Sequence, residues 1–176
     1  MLRPTMRSAA RRAATLAALT SLAAVALGAS SSFGPPWISI ETPPNPYDRA
    51  SRGAFLVVNT FHHGDASASG VAGTAEGLVD GARRSVALSF DATSRPGSYA
   101  LRKQWPTDGI WMLVINTGGR AEGATALIEL GPRGEVASVR VPTRQQGEWT
   151  IPAQVTARDV DDALGARAAR VASSAR

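Results

Sequence analysis

The two histidines of the chain lie side by side, and an aspartate follows them in Phe61-His-His-Gly-Asp65. Imidazole nitrogens and carboxylate oxygens are ligands of zinc and copper, so His62, His63 and Asp65 could begin a metal site. Adjacent side chains on a strand point to opposite faces, so a turn at Gly64 would have to bring one histidine and Asp65 together. The alternative is a polar strand end followed by a loop of small residues. A metal ion is therefore the one cofactor kept as an alternative, and otherwise we expect none.

Residues suited to nucleophilic catalysis are sparse. The chain has no cysteine and no Gly-x-Ser-x-Gly motif, which excludes a thiol nucleophile and the nucleophile elbow of one large class of hydrolases. Ser67 and His63 could join a carboxylate in a Ser–His–Asp arrangement, but their spacing does not require it. We therefore expect a protein that is not an enzyme, with a small hydrolase as the remaining catalytic alternative.

The four tryptophans divide into two pairs. Trp105 and Trp111 lie in or beside long apolar segments, and we expect both in the core. Trp37 opens the first apolar segment, and Trp149 lies between Gly147 and Pro152 in a polar stretch. A tryptophan left in solvent is typical of a binding interface, because it combines a large apolar surface with a polar N–H. Trp149 and Trp37 are therefore the candidate interface residues.

Eight short apolar segments must position these side chains. Turn residues separate the segments, and Asp80-Gly81 in particular is a strong signal for a tight β-hairpin. Short strands at this spacing predict an all-β, antiparallel sandwich of about seven or eight strands over residues 37–141. The predicted strands are 37–41, 53–61, 71–79, 83–90, 98–105, 110–116, 124–130 and 135–141.

Two segments, 54–58 and 110–115, are apolar on both faces, whereas a sandwich strand has one core face. The predicted cover is a C-terminal α-helix over residues 156–172. Thr156 and Asp159 have the spacing of a helix-capping pair, and apolar residues recur after them at helical spacing. Residues 142–155 are predicted to link the helix to the sheet, and we expect fraying from Arg167 onward.

Residues 1–28 have the pattern of a secretory signal peptide. Four arginines and no acid open the chain, a charge-free apolar run follows from Ala13 to Val25, and small residues suited to cleavage come next. The run is short for a bilayer span. We therefore expect an exported protein, periplasmic or extracellular, with a flexible tether at 29–36 and no transmembrane helix after cleavage.

The charge of the remaining chain argues against a nucleic-acid partner. Residues 29–176 contain 15 basic and 14 acidic residues, and three of the arginines lie in the last ten residues. A nucleic-acid-binding surface needs clustered lysine and arginine to neutralise phosphates. The near-neutral body of the chain therefore favours other partners.

Residues 96–115 carry a resemblance to a known group of modules. Pro96-Gly97-Ser98-Tyr99, then Trp105-Pro106, then Gly109-Ile-Trp-Met-Leu-Val114 resemble the hairpin that closes immunoglobulin-like (Ig-like) modules of exported bacterial proteins, including the YtkA-like and FixH-like group. The resemblance implies an Ig-like sandwich outside the cytoplasmic membrane, with Tyr99 placed like the tyrosine of a tyrosine corner. Proteins of that group serve metal delivery or the assembly of membrane complexes, but their copper ligands have no counterparts here. The resemblance covers about twenty residues and implies a fold rather than an activity.

Together these features predict an exported, non-enzymatic Ig-like binding module whose partner is another envelope protein or a membrane complex. The alternative is a periplasmic metal-binding module that uses His62, His63 and Asp65.

Overall fold

The computed structural model describes residues 36–118 and 123–174, which form twelve strands and one α-helix. The predicted signal peptide, and the tether apart from Pro36, lie outside the described residues. The elements are β1 (Trp37–Glu41), β2 (Leu56–His62), β3 (Asp65–Ala66), β4 (Val71–Val79), β5 (Ala82–Leu88), β6 (Asp91–Ala92), β7 (Ser98–Leu101), β8 (Ile110–Thr117), β9 (Thr125–Leu130), β10 (Val136–Arg140), β11 (Thr143–Gln146), β12 (Trp149–Pro152) and the helix, α1 (Ala157–Ser174). Each of the eight predicted strands is present, with ends that differ by a few residues.

The strands form two antiparallel five-stranded sheets and a separate pair. The first sheet has the order β1-β2-β7-β6, with β3 paired to β2, and the second has the order β10-β9-β8-β4-β5. In the nomenclature of Ig-like domains the first sheet follows A-B-E-D, and β9-β8-β4-β5 follows G-F-C-C′. The strand β10 extends the second sheet beyond β9. The predicted Ig-like antiparallel sandwich with a C-terminal helix is therefore confirmed.

The core lies between the two sheets and contains both predicted core tryptophans. Trp105 and Trp111 are each 5% exposed. Phe55 packs edge-on against Trp105, with ring centroids 5.1 Å apart. Trp111 lies directly opposite Gly77 on the neighbouring strand, and its indole N–H donates to the Asp108 carbonyl at 2.6 Å. The prediction that these two residues belong to the core is confirmed.

The hairpin that the resemblance implies over residues 96–115 is not present. β7 ends at Leu101 and pairs with β2 in the first sheet, whereas β8 pairs with β4 and β9 in the second sheet. The chain between them therefore crosses from one sheet to the other. Tyr99 accordingly lies on the strand that precedes the crossing and not in a tyrosine corner. The turn residues from Pro106 to Gly109 mark a change of direction, but they do not specify which strand the chain pairs with afterwards.

The C-terminal helix covers the outer face of the second sheet, as predicted for segment 110–115. Val160 and Leu164 are its buried residues, and they pack against Met112 and Leu127. At the start of the helix Thr156 Oγ1 accepts from the Asp159 N–H at 3.2 Å, and the Thr156 N–H donates to the Asp159 carboxylate at 2.8 Å. The predicted capping pair is confirmed. The helix ends at Ser174, two residues beyond its predicted end at 172.

Candidate interaction surface

A β-hairpin that the sequence reasoning missed lies inside the predicted linker 142–155. β11 and β12 pair antiparallel, with Gln146 opposite Trp149 and Thr143 opposite Pro152. Gly147 and Glu148 form the two-residue turn, and the positive φ of Gly147 (61°) suits the first central position of a type II′ turn. We call residues 143–152 the arm.

The arm is held at its base and is otherwise exposed. The Ala153 N–H donates to the Pro142 carbonyl at 2.8 Å, and the Gln154 side chain bonds Thr125 Oγ1 at 3.1 Å and the Gly123 carbonyl. Every residue from 143 to 150 is exposed, whereas Pro152 is buried. Neither strand pairs with the two large sheets. A two-stranded hairpin is marginally stable in water when nothing packs on it, so the arm has the properties of a segment that a partner completes.

One face of the arm presents a concentrated set of interface side chains. In the cross-strand register Gln146 lies opposite Trp149 and Arg144 lies opposite Ile151, which places all four side chains on one face. Trp149 is 75% exposed. Tryptophan and arginine are enriched among the residues that dominate protein–protein binding energies. This Trp149 face is therefore the strongest candidate for an interaction surface among the described residues.

Trp37, the second candidate, is less available. It opens β1 at the edge of the first sheet, lies opposite Phe61 and is 38% exposed. Arg95 forms ion pairs with Glu41 Oε2 at 3.1 Å and Asp48 Oδ2 at 3.3 Å. The backbone N–H of Asn45 and the Arg95 guanidinium hold the pKa of Glu41 below its ordinary value. These charges lie at the Glu41 end of β1, and Trp37 at its other end ranks below Trp149 because it is about half as exposed.

The three candidate metal ligands lie at a second tight turn. His63 and Gly64 both have positive φ, 55° and 89°, as a type I′ turn requires, and His62 lies opposite Asp65 across the hairpin. The two imidazole rings are 4.3 Å apart between centroids. Within residues 36–118 and 123–174, no group of three histidine, aspartate or glutamate side chains is placed to hold one metal ion. The turn is thus sufficient to explain this His-Gly pair without a ligand.

The remaining catalytic candidate has a local structural role. The Ser67 hydroxyl lies 3.0 Å from the Ser69 hydroxyl, and the Ser67 backbone N–H donates to the Thr60 carbonyl at 2.9 Å. Both contacts tie the chain after β3 to itself and to β2. Ser67 is therefore held by structural bonds to its neighbours.

Sequence reasoning singled out Trp149 but missed Arg144 and Gln146, which share its face. The signal was local and weak. Glycine at the first position of a two-residue turn, followed by Trp-Thr-Ile, is compatible with a hairpin. Because both faces of the arm are exposed, the arm lacks the apolar alternation that reveals a half-buried strand.

Within the described part of the chain, α1 lacks the length of apolar sequence that a bilayer-spanning helix requires. Comparison of the chain with models of known protein families, with curated proteins and with solved structures finds no match.

Proposed function

We propose that this protein is an exported, non-enzymatic binding module whose partner is another protein of the cell envelope, free or within a membrane complex. The observation that carries the proposal is Trp149, which is 75% exposed on an arm that neither large sheet includes. The Ig-like sandwich supplies a rigid scaffold, and binding function in such folds resides in the segments attached to it.

The energetics of the arm favour a protein partner. Complete burial of an aromatic side chain removes about 150–250 Å² of its surface from water. Each Å² of apolar surface buried stabilises a complex by about 25 cal/mol. Burying the exposed three-quarters of Trp149 would contribute about 4 kcal/mol before the entropic cost of association. Arg144 adds a cation that no salt bridge of the described residues neutralises. A partner that covers both side chains would gain apolar burial and a charge pair from one small face.

Two sequence features support the location of the partner. The pattern of residues 1–28 is that of a secretory signal peptide, which favours a partner outside the cytoplasm. The motifs of residues 96–115 resemble exported Ig-like modules and point to the same compartment, although they do not form the hairpin that the resemblance implies. Both remain sequence-based support for the proposal.

Site-specific photo-crosslinking in the native host tests the proposal. A photoreactive phenylalanine analogue at position 149 should form a discrete crosslink to an envelope protein. The same analogue at Tyr47, which is 92% exposed in the loop between β1 and β2, is the matched control and should not. Equal crosslinking from both positions, or from neither, would contradict a binding surface on the arm.

A further inference from the structure

The hydrogen-bond pattern of the arm shows which backbone groups face outward. The Ala153 N–H donates across to the Pro142 carbonyl. Since hydrogen-bonded pairs alternate along an antiparallel ladder, the pairs 144–151 and 146–149 are also hydrogen-bonded, and the pairs 143–152 and 145–150 are not. The N–H and C=O groups of Thr143 and Gln145 therefore point away from β12, and those of Thr150 point away from β11.

Only one edge of the arm offers an outward N–H and C=O group at every position where the backbone faces away from the hairpin. On the β12 edge Pro152 has no N–H at an outward position, which blunts that edge as proline does in natural sheets. On the β11 edge Thr143 and Gln145 each offer an outward donor and acceptor. Within the described residues, neither of them has a backbone hydrogen bond outside the arm. The β11 edge is thus the one suited to pair with another strand.

The side chains beside this edge restrict the chemistry of an added strand. Arg144 is flanked by the two outward-facing residues, so it would form a non-hydrogen-bonded pair with the added strand, where opposing side chains are closest. It has no ionic partner among the described residues. Two copies of the arm paired about Arg144 would place two guanidinium groups directly opposite, which is unfavourable. An acidic residue on a different protein satisfies this position better than a second copy of the chain.

We infer that the partner adds an extended strand to the free edge of β11, with an acidic residue opposite Arg144. Main-chain hydrogen bonds to Thr143 and Gln145 supply affinity, and the Arg144 pair supplies specificity, as in other cases of strand addition. The inference rests on the proposed binding function and specifies how the arm performs it.

A matched pair of proline substitutions tests the edge. Gln145→Pro removes an outward N–H of β11, and Thr150→Pro removes the outward N–H of β12. Both disrupt the same side-chain bond between Gln145 and Thr150, and they remove outward N–H groups from opposite edges of the arm. We expect Gln145→Pro to lower the crosslinking yield at position 149 about tenfold or more, and Thr150→Pro to leave it near the parent value.

Nuclear Overhauser contacts between the α-protons of residues 145 and 150 check that the arm still forms in both variants. If the arm still forms but both variants lose the crosslink, strand addition to β11 is contradicted. It is also contradicted if both variants keep the crosslink. In the last case the proposed function stands and strand addition fails. A parent protein that forms no crosslink at position 149 fails the proposed function itself.

Two synthetic peptides test the charge. The acidic peptide repeats the sequence Thr-Glu-Thr-Tyr. The basic peptide has lysine in place of each glutamate. The acidic peptide should bind the parent protein at least about tenfold more tightly than the basic one, and Arg144→Gln should abolish the difference. Equal affinity of the two peptides, or a preference that survives Arg144→Gln, would overturn the acidic assignment.

Discussion

Replacing Gly77 by alanine should destabilise the domain because the Trp111 ring occupies the space of the new methyl group. A Cβ at Gly77 would lie 2.5 Å from Cε3 of Trp111. The ring is 5% exposed, and its N–H is bonded to Asp108, so it has little freedom to move. Overpacking of this kind costs about 1–3 kcal/mol, and urea unfolding followed by circular dichroism measures it.

The same substitution elsewhere in the chain is the control. Gly165 lies exposed in α1, and a Cβ there meets nothing within 4 Å. Gly165→Ala should therefore raise the free energy of unfolding by up to about 1 kcal/mol, because alanine is the better helix former. Gly77→Ala should thus lower the free energy of unfolding, and Gly165→Ala should raise it.

A double-mutant cycle identifies the cause of the Gly77 effect. Trp111→Ala alone should cost about 3–5 kcal/mol through lost burial and a cavity. Without the indole ring, Gly77→Ala should be neutral or slightly stabilising, since glycine is unfavourable inside a strand. If Gly77→Ala cost the same in both backgrounds, contact with the Trp111 ring could not be the reason, and the packing described here would be wrong.

The remaining predictions concern the helix cap, the histidines and the amino terminus. Two hydrogen bonds hold the pKa of the Asp159 carboxyl below its ordinary value of 3.8. The larger effect comes from the Thr156 hydroxyl and the smaller from the Thr156 backbone N–H. The stability that this pair contributes is therefore present above that value and is lost as the pH falls through the lower folded-state pKa. Thr156→Ala should flatten the pH dependence of unfolding below about pH 5. Calorimetry with Cu(II) and Zn(II) should show at most weak binding, with a stoichiometry that alanine at both histidines leaves unchanged; sub-micromolar affinity lost in that variant would favour the metal-binding alternative. Intact-mass measurement of the protein from its native host should show a chain that begins at Leu27 or Ala29, and an uncleaved chain would indicate a retained anchor.

The parts of the fold that the sequence predicted are those that local patterns determine. Asp80-Gly81 predicted a two-residue hairpin turn, and both residues have the positive φ that such a turn requires. The Thr156 and Asp159 pair likewise capped the helix at the expected place. In both cases the residues that carry the signal also make the contact.

The parts that were missed depend on partners distant in the chain. Nothing in residues 98–101 indicates that they pair with β2 in one sheet while 110–117 pair with β4 and β9 in the other. The arm was missed for a different reason, because its side chains are exposed on both faces and leave no apolar period. Trp149 could be selected for its residue type, but its neighbour Arg144 required the register of the hairpin.

The helix cover has a consequence for how the protein must be made. Met112 and Leu127 on the second sheet are buried by Val160 and Leu164, which come after every strand in the chain. If the chain is exported amino terminus first, its sandwich emerges with this apolar face bare. Until the helix is in place, this apolar face stays exposed and makes the incomplete domain prone to aggregation. After cleavage in the short segment between β12 and α1, non-covalent contacts alone would hold the helix, and its dissociation would expose the same face without unfolding either sheet.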